Sequence, residues 1–216
     1  DVYKRQAEYL PRTSYDECVD WICNLLDEAA SSLPAIRTNK EDYGLATSVG
    51  AKAVKAKMLL YAASPLFNGN SSFYSNFTDK SGSQLMPLTY DPNKWVKAKT
   101  AIKEAIDLAE QNGHALYVKQ DYKIGNEDAN PYPAAGPVRC LRTSLVDWDS
   151  RNPEVLLAET RSEGSYGIQN KSLPFVTDGW AWNGVGPTWT MLNRFYTKNG
   201  LPWDEDPEYK DCLLYT

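Results

Sequence analysis

The clearest pattern in the chain is an apolar stripe along residues 47–69, TSVGAKAVKAKMLLYAASPLFNG. Thr47 is a suitable N-cap for a helix, and Ser64-Pro65 predicts where that helix ends, because proline lacks an amide donor. The sequence therefore predicts a helix at about 46–64. Its apolar residues recur at three- and four-residue steps, which places them on one face: Val49, Ala53, Ala56, Leu59, Leu60 and Ala63. Since half of them are alanine, another helix can approach closely, and this helix is expected to lie at the centre of a bundle.

Two more helices are predicted, one on each side of it in sequence. Ser14 and Glu17 form a capping box at the start of a helix at about 14–32. Asp91-Pro92 predicts the start of a helix at about 92–112, which Asn112-Gly113 ends. We expect each to bury one apolar face: Trp21, Ile22, Leu25, Leu26 and Ala29 in the first, and Trp95, Ala98, Ile102, Ala105, Ile106 and Ala109 in the second.

The pattern after Gly113 is different, because short apolar runs alternate there with turn-forming residues. Residues 155–158 are predicted to form a buried strand, and 187–198 one more helix with Met191, Leu192, Phe195 and Tyr196 on a shared face. Residues 65–90 predict a long irregular loop. The expected fold class is mainly α: tetratricopeptide-like helix pairs with long irregular loops and a few short strands, without a regular repeat.

Four sequence blocks, in order, resemble the SusD-like (RagB/SusD) family of outer-membrane lipoproteins. The run AKAVKAKMLLYAASPLFNG resembles the signature helix of that family, and residues 14–34 resemble the helix that precedes it. NPEVLLAE at 152–159 resembles a later family strand, and residues 186–200 resemble the PT-ELVD-Y-NG block. Four blocks in the family's order are far more specific than any one of them.

The resemblance implies a partial domain over 7–211, with a helical tetratricopeptide-like part at about 14–112 and a loop-rich ligand side at about 113–211. Residues 1–6 and 212–216 do not continue the family pattern and are expected to be non-native ends. The function implied is non-catalytic binding of an oligosaccharide or other nutrient at the cell surface. The partner implied is a TonB-dependent SusC-like transporter, and the full-length protein is expected to be held at the outer membrane by an N-terminal lipid anchor missing from this piece.

Composition narrows these expectations. The 216 residues carry a net charge of −5, and the lysines are spread along the predicted helices, so nucleic-acid binding is disfavoured. No apolar run approaches the ~18–20 residues that a membrane-spanning helix needs. The four cysteines form no metal-binding spacing and are expected to be buried free thiols: Cys18, Cys23, Cys140 and Cys212.

The candidate binding residues are aromatic. Five of the 7 tryptophans lie in the last third: Trp148, Trp180, Trp182, Trp189 and Trp203. Sugars present flat C–H faces ringed by hydroxyls, so a sugar site needs aromatic planes beside polar side chains. Asp178, Trp180, Trp182 and Asn183 supply both kinds within one short stretch, and Tyr74, Tyr132 and Tyr166 are further candidates. Trp21, Trp95 and Trp189 belong to helical apolar faces and are expected in the core.

Enzymatic activity is not predicted. Carboxylate pairs suited to glycoside hydrolysis exist at 147/149, 154/159 and 204–206, but acidic residues in loops are usually solvated. The acidic run 204–208 lacks the glycine and spacing of an EF-hand, and no cofactor is expected. His114 is the single histidine, and its place beside a helix end explains it. The alternative hypothesis is a tetratricopeptide-like scaffold that binds a protein and no sugar.

Overall fold

The computed structural model describes residues 12–118, 136–146, 152–160, 168–173, 182 and 184–210. The chain is mainly helical, which confirms the predicted fold class. In the described residues, β-structure is limited to two isolated bridges, Thr78 with Gln84 and Tyr196 with Pro202. The chain divides into two compact units, Asp1–Thr160 and Arg161–Thr216. The helices are α1 (Tyr15–Ser32), α2 (Ser48–Ala63), α3 (Ser71–Tyr74), α4 (Asn93–Gln111), α5 (Pro137–Val146), α6 (Ile168–Ser172) and α7 (Trp189–Leu192), with a short 3₁₀ turn at Lys40–Asp42.

The predicted helix ends are confirmed by their hydrogen bonds. The Ser14 hydroxyl accepts from the Glu17 amide at 3.4 Å while the Glu17 carboxylate accepts from the Ser14 amide at 3.2 Å, which is a capping box. The Thr47 hydroxyl accepts from the Gly50 amide at 3.0 Å at the start of α2. Helix α4 starts one residue later than predicted, at Asn93, whose amide donates to the Asp91 carboxylate at 2.9 Å.

The first unit is built on α2, which packs against α1 on one side and α4 on the other. Asp27, late in α1, pairs with Lys52 and Lys55, early in α2, so these two helices run antiparallel. Lys52 also lies 3.6 Å from Glu104, late in α4, so α4 is antiparallel to α2 as well. The core between the three helices consists mostly of alanine: Ala56, Ala62, Ala63, Ala98, Ala101 and Ala105, with Val19, Cys23 and Leu59.

The larger apolar residues of these helices are mostly outside that core. Trp21 is 64% exposed and Trp95 41%, so the prediction that they are core residues is wrong. The same correction applies to Ile22, Leu25, Leu60 and Ile106, which are 37–49% exposed. Helices α1 and α4 each contact α2 on one face, and the small side chains occupy that face because the helices lie close together. The bulkier side chains of α1 and α4 therefore lie on the faces that α2 does not cover.

The loop from 64 to 92 is closed by one buried side chain. Asn68 is 3% exposed, and its side-chain oxygen accepts from the Asp91 amide while its nitrogen donates to the Asp91 carbonyl, both at 2.9 Å. Next to it, Gly69 has a φ of +82°, and a Cβ there would lie 2.4 Å from the Tyr90 nitrogen. Glycine is therefore required where the two ends of the loop meet.

Two predictions of local structure are wrong, and one helix was not predicted. Residues 155–158 form no strand, and the Val155 amide instead closes a turn by donating to the Asn152 carbonyl at 3.4 Å. The helix expected over 187–198 is only α7, and the residues predicted to share a face are exposed: Met191 50%, Leu192 41%, Phe195 61% and Tyr196 71%. Helix α5 was not predicted, because the sequence after Gly113 shows only short apolar runs between turn-forming residues. These stretches contain too few apolar residues for their spacing to distinguish a helix or a strand from a turn.

Two further observations concern the cysteines and the membrane. Cys18, Cys23 and Cys140 are free thiols, as predicted, but only Cys23 is buried, and Cys212 lies outside the described residues. Burial raises the pKa of the Cys23 thiol, and the negative charge of Asp20 and Asp27 adds to that effect against the opposing charge of Lys55. Among the described helices, none has the length and apolar character needed to cross a bilayer.

Candidate functional site

Most of the aromatic site predicted from sequence lies outside the described residues, namely Trp180, Asp178, Asn183, Tyr166 and Tyr132. The structure describes Trp182 and Tyr74. These two residues belong to different compact units, so each is described with the residues of its own unit.

Trp182 is the predicted contact that the structure places on the surface. Its side chain is 48% exposed. Its backbone amide donates to the Asn170 carbonyl at 2.9 Å, and the amides of Gly184 and Val185 donate to the Lys171 carbonyl at 2.8 and 2.9 Å. The segment that carries Trp182 is thus tied to α6 by three main-chain bonds. A half-exposed indole on an anchored backbone is suited to stacking on a ligand.

Tyr74 lies in an aromatic cluster of the first unit instead of standing alone. It ends α3 and is half-buried, with its ring 4.9 Å from Phe73 in an edge-to-face arrangement and 6.1 Å from Phe77. The backbone carbonyl of Tyr74 accepts from the Gln84 side chain at 2.9 Å. Tyr74 therefore has a packing role in this loop, and its ring is a weaker candidate for ligand contact than Trp182.

A second exposed tryptophan was missed because α7 was expected to be part of a longer, buried helix. Trp189 is 54% exposed, and its ring stands edge-to-face against Trp203, with ring centres 5.6 Å apart. Trp203 is fixed in turn, because its indole nitrogen donates to the Asn193 side-chain oxygen at 2.8 Å. Trp189 thus presents an aromatic surface held by a hydrogen-bonded neighbour. The glycine and proline that precede it in GPTW are the sequence signal for an exposed loop.

The loop that carries Trp203 is organised around Asp206. This aspartate is 1% exposed and accepts from the Thr197 hydroxyl at 2.5 Å, the Asn199 side chain at 3.0 Å and the Glu208 amide at 2.9 Å. The Thr197 hydroxyl and these amides lower the pKa of the Asp206 carboxyl below its usual value, although burial opposes them. Its oxygens already bind protein donors, so Asp206 acts as a structural residue of the 204–208 acidic run.

The structure describes part of the other carboxylates considered for chemistry. Glu154 accepts from the Tyr117 amide at 3.0 Å, while residues 147 and 149 are outside the described part of the chain. Among the described residues, no cluster of three or more His, Cys, Asp and Glu side chains is arranged to hold a metal ion.

Sequence reasoning also missed a cleft in the first unit, because it is assembled from three distant segments. Residues 36–47, 112–114 and 152–158 enclose a volume of about 380 Å³. The lining combines apolar side chains with polar ones: Ile36, Leu45, Leu156 and Leu157, and Arg37, Tyr43, Asn112, His114 and Asn152. His114 joins two of the segments, since its Nδ1 lies 2.9 Å from the Pro153 carbonyl oxygen. Volumes of ~300–1,000 Å³ with mixed lining are typical of small-molecule sites.

These features define a mainly α protein with an alanine-rich three-helix bundle, a cleft of mixed lining, and exposed tryptophans at residues 182 and 189. The chain is similar to BT4246: the solved structure of BT4246 shares 32% identity over 94% of this chain, with a TM-score of 0.68. The structure of selenomethionine BT4246 matches with the same identity and a TM-score of 0.66. The chain spans 37% of the length of BT4246. No family model and no curated protein matches the chain.

Proposed function

We propose that this chain is part of a non-catalytic SusD-like protein that binds glycans or other nutrients at the outer-membrane surface and delivers them to a TonB-dependent SusC-like transporter. The family assignment rests on the four ordered sequence blocks, the second of which forms α2 with the predicted caps. The observation that carries the binding function is the exposure of Trp182 and Trp189 on backbone that is hydrogen-bonded in place.

Exposed indoles suit reversible capture of sugars. A tryptophan ring offers a large flat apolar surface that stacks on the C–H face of a sugar, and it loses little conformational entropy because it has only two side-chain torsions. Holding the ring before the ligand arrives lowers the cost of binding further. Stacking and hydrogen bonding are reversible interactions that lead to binding and release, which is the behaviour expected of a protein that passes its ligand to a channel.

A glycan array and tryptophan fluorescence titrations test this proposal. We expect the 216-residue chain to retain at least one oligosaccharide class, and Trp180→Ala, Trp182→Ala or Trp189→Ala to weaken that binding by about 1–2 kcal/mol, or roughly tenfold. Trp21→Ala is the control, since Trp21 is 64% exposed, more than Trp182 or Trp189, but lies on the bundle. Retention of no glycan by the array would contradict the proposal, and unchanged affinity in all three variants would move the site elsewhere.

A specific surface favours the second candidate, a scaffold that binds a protein helix and no sugar. Leu60 of α2 and Trp95, Ala98, Ile102 and Ile106 of α4 line a groove of about 470 Å³. Its apolar residues recur along α4 at helical spacing. Lys103 and Asp107 at its border pair with each other at 2.9 Å, and Lys99 also borders it, so it fits an amphipathic helix with an acidic residue facing Lys99. An empty glycan array, together with a purified transporter that binds the chain but not Ile106→Asp, would support the scaffold over the sugar-binding protein.

A further inference from the structure

We propose that the cleft formed by residues 36–47, 112–114 and 152–158 binds a sugar unit that carries a carboxylate, such as a uronic acid. This inference takes carbohydrate as the ligand class from the proposed function. It adds a second binding place, distinct from the tryptophans of the other unit, and it adds the charge of the ligand.

The charge of the ligand follows from Arg37. Of the residues that line the cleft, Arg37 is the one with a permanent charge, in a chain whose net charge is −5. It is half-buried, and no carboxylate of the described residues lies within ion-pair distance of it. Lysines elsewhere do have such partners, for example Lys55 with Asp27 and Lys94 with Asp16, both at 2.5 Å. A partly desolvated guanidinium without an acidic neighbour favours an anionic ligand.

The guanidinium of Arg37 has N–H donors beyond those that bind the protein backbone. Its Nε and Nη2 atoms donate to the Ala46 carbonyl at 3.4 and 3.3 Å, which are long bonds. An arginine has five N–H donors in a planar fork, so three remain for a ligand. The bonds to Ala46 orient the fork without neutralising it. A carboxylate can accept two parallel bonds from such a fork, which is the geometry that arginine provides and lysine does not.

The side chains of His114 and Asn112 supply acceptors for hydroxyl groups. The Pro153 carbonyl can only accept, so the Nδ1 of His114 must carry the hydrogen, and in the neutral ring Nε2 keeps its lone pair. Asn112 donates from Nδ2 to the Leu108 carbonyl at 2.8 Å, and its Oδ1 stays available to accept. The donors of Arg37, the acceptors of His114 and Asn112, and the apolar surface of Leu45 and Leu156 match the carboxylate, hydroxyls and C–H face of one uronic acid.

The walls of the cleft are fixed in place. Gly44 has a φ of +91°, and a Cβ there would lie 2.5 Å from the Thr160 hydroxyl, so the 36–47 loop lies directly on the 152–160 segment. That segment is anchored by Asn152, which is 5% exposed, donates to the Ser144 carbonyl at 2.8 Å and accepts from the Glu154 amide at 3.0 Å. A cleft that is already formed gains affinity because little is ordered when the ligand enters.

Calorimetric titration with methyl glucuronide and with methyl glucoside tests the inference. The two ligands differ only in one group, which is a carboxylate in the glucuronide and a hydroxymethyl group in the glucoside. We expect the wild-type chain to bind the glucuronide about tenfold more tightly, and Arg37→Gln to reduce its affinity to that of the glucoside. Arg194→Gln removes an exposed arginine of the other unit and should leave the preference unchanged. Leu45→Glu places a competing carboxylate at a position that is 51% exposed and should also abolish the preference.

The outcomes separate this inference from the proposed function. Equal binding of the two sugars by the wild-type chain, or a preference that survives both Arg37→Gln and Leu45→Glu, would overturn the carboxylate site. If the chain binds neutral glycans of the array through the tryptophans but binds the glucuronide no more tightly than the glucoside, the proposed function stands and the inference fails. If the chain retains no glycan of the array but binds the glucuronide through Arg37, the carboxylate site stands and the proposed function fails. Should circular dichroism show that Arg37→Gln is unfolded, Leu45→Glu decides the question.

Discussion

Asp27 connects α1 to α2 by accepting bonds from two lysines, Lys52 at 2.8 Å and Lys55 at 2.5 Å. Burial opposes its negative charge, but the two lysines outweigh that effect and hold the pKa of the Asp27 carboxyl below its usual value. The same bond raises the pKa of Lys52. One carboxylate therefore joins α1 to α2 at the edge of their buried interface.

Replacing that carboxylate tests its contribution. We expect Asp27→Asn to lower the free energy of unfolding by about 0.5–1 kcal/mol in urea titrations, a modest loss because the aspartate side chain is 40% exposed and water screens the pairs. Asp107→Asn is the control, since its pair with Lys103 lies within α4 and joins no two elements. A larger loss for Asp107→Asn than for Asp27→Asn would contradict this role.

Asp206 predicts how stability depends on acid. Its pKa is lower in the folded chain, so its contribution to stability is complete above the unfolded value of about 3.9 and is lost as the pH falls through the folded value. We expect Asp206→Asn to lose that part of the pH dependence below about pH 4. Fluorescence of Trp203, which shares the loop, is the measurement. An unchanged acid transition in the variant would show that the bonds of Asp206 do not stabilise the loop.

Residue-scale features were predictable from sequence where they depend on near neighbours. The capping pair of Ser14 and Glu17 and the cap at Thr47 involve residues three apart, and both predictions are confirmed. The burial of Trp21 and Trp95 was predicted wrongly, because it depends on which face meets a partner helix. The sequence of a single helix does not contain that information when both of its faces carry apolar residues.

At the scale of elements, alanine decides which helix faces meet. Ala105 is 5% exposed and Ala63 is fully buried, and both belong to the core between the helices, so there is little room there for longer side chains. We expect Ala105→Leu to destabilise the chain by about 1–3 kcal/mol through overpacking, as measured by urea unfolding. Thr100→Leu, on an exposed part of the same helix, should change stability by less than about 0.5 kcal/mol. Tolerance of leucine at residue 105 would show that the helices lie farther apart.

The start of α1 offers a second test at this scale. We expect Ser14→Ala to cost about 1 kcal/mol of unfolding free energy, because the Glu17 amide loses its acceptor at the helix end. Ser31→Ala serves as the control, since Ser31 donates to the Glu28 carbonyl near the other end of the helix and caps no amide. Equal stability of the two variants by thermal unfolding would contradict the role of the capping box.

Elements with long helical periodicity were predicted well, and short ones were not. The bounds of α1, α2 and α4 agree with the sequence to within two residues, since each presents four or more turns of regular spacing. The strand at 155–158 and the helix over 187–198 failed because a few apolar residues fit a strand, a helix or a turn equally well. In such stretches the tertiary surroundings determine the conformation.

At the scale of the whole molecule, the helical core belongs entirely to the first unit. We therefore expect a shortened chain of residues 12–160 to keep the helical circular dichroism signal and the cooperative unfolding of the longer chain. Its melting temperature should agree within about 4 °C, the shift that ~1 kcal/mol produces in a domain of this size. A shortened chain without cooperative unfolding would show that the residues after 160 are needed for the core.

The candidate sites show the limit of sequence reasoning for the whole molecule. The exposed loop position of Trp182 was predictable from the glycine and polar residues around it. The cleft beside Arg37 was not, because its walls come from segments more than a hundred residues apart, such as 36–47 and 152–158. Local sequence patterns do not show which distant segments come into contact in the fold. Arg37 and His114 were unremarkable in sequence and are linked only by the fold.

The bulky side chains on the outer faces of α1 and α4 have a practical consequence for anyone who handles this chain. Apolar surface stays in contact with water in the folded state at Trp21, Val96 and Ile106. Environment-sensitive dyes such as anilinonaphthalene sulfonate should therefore fluoresce with the folded chain before any heating. A melting experiment that relies on such a dye would begin from a bright baseline, so circular dichroism is the appropriate way to follow its unfolding.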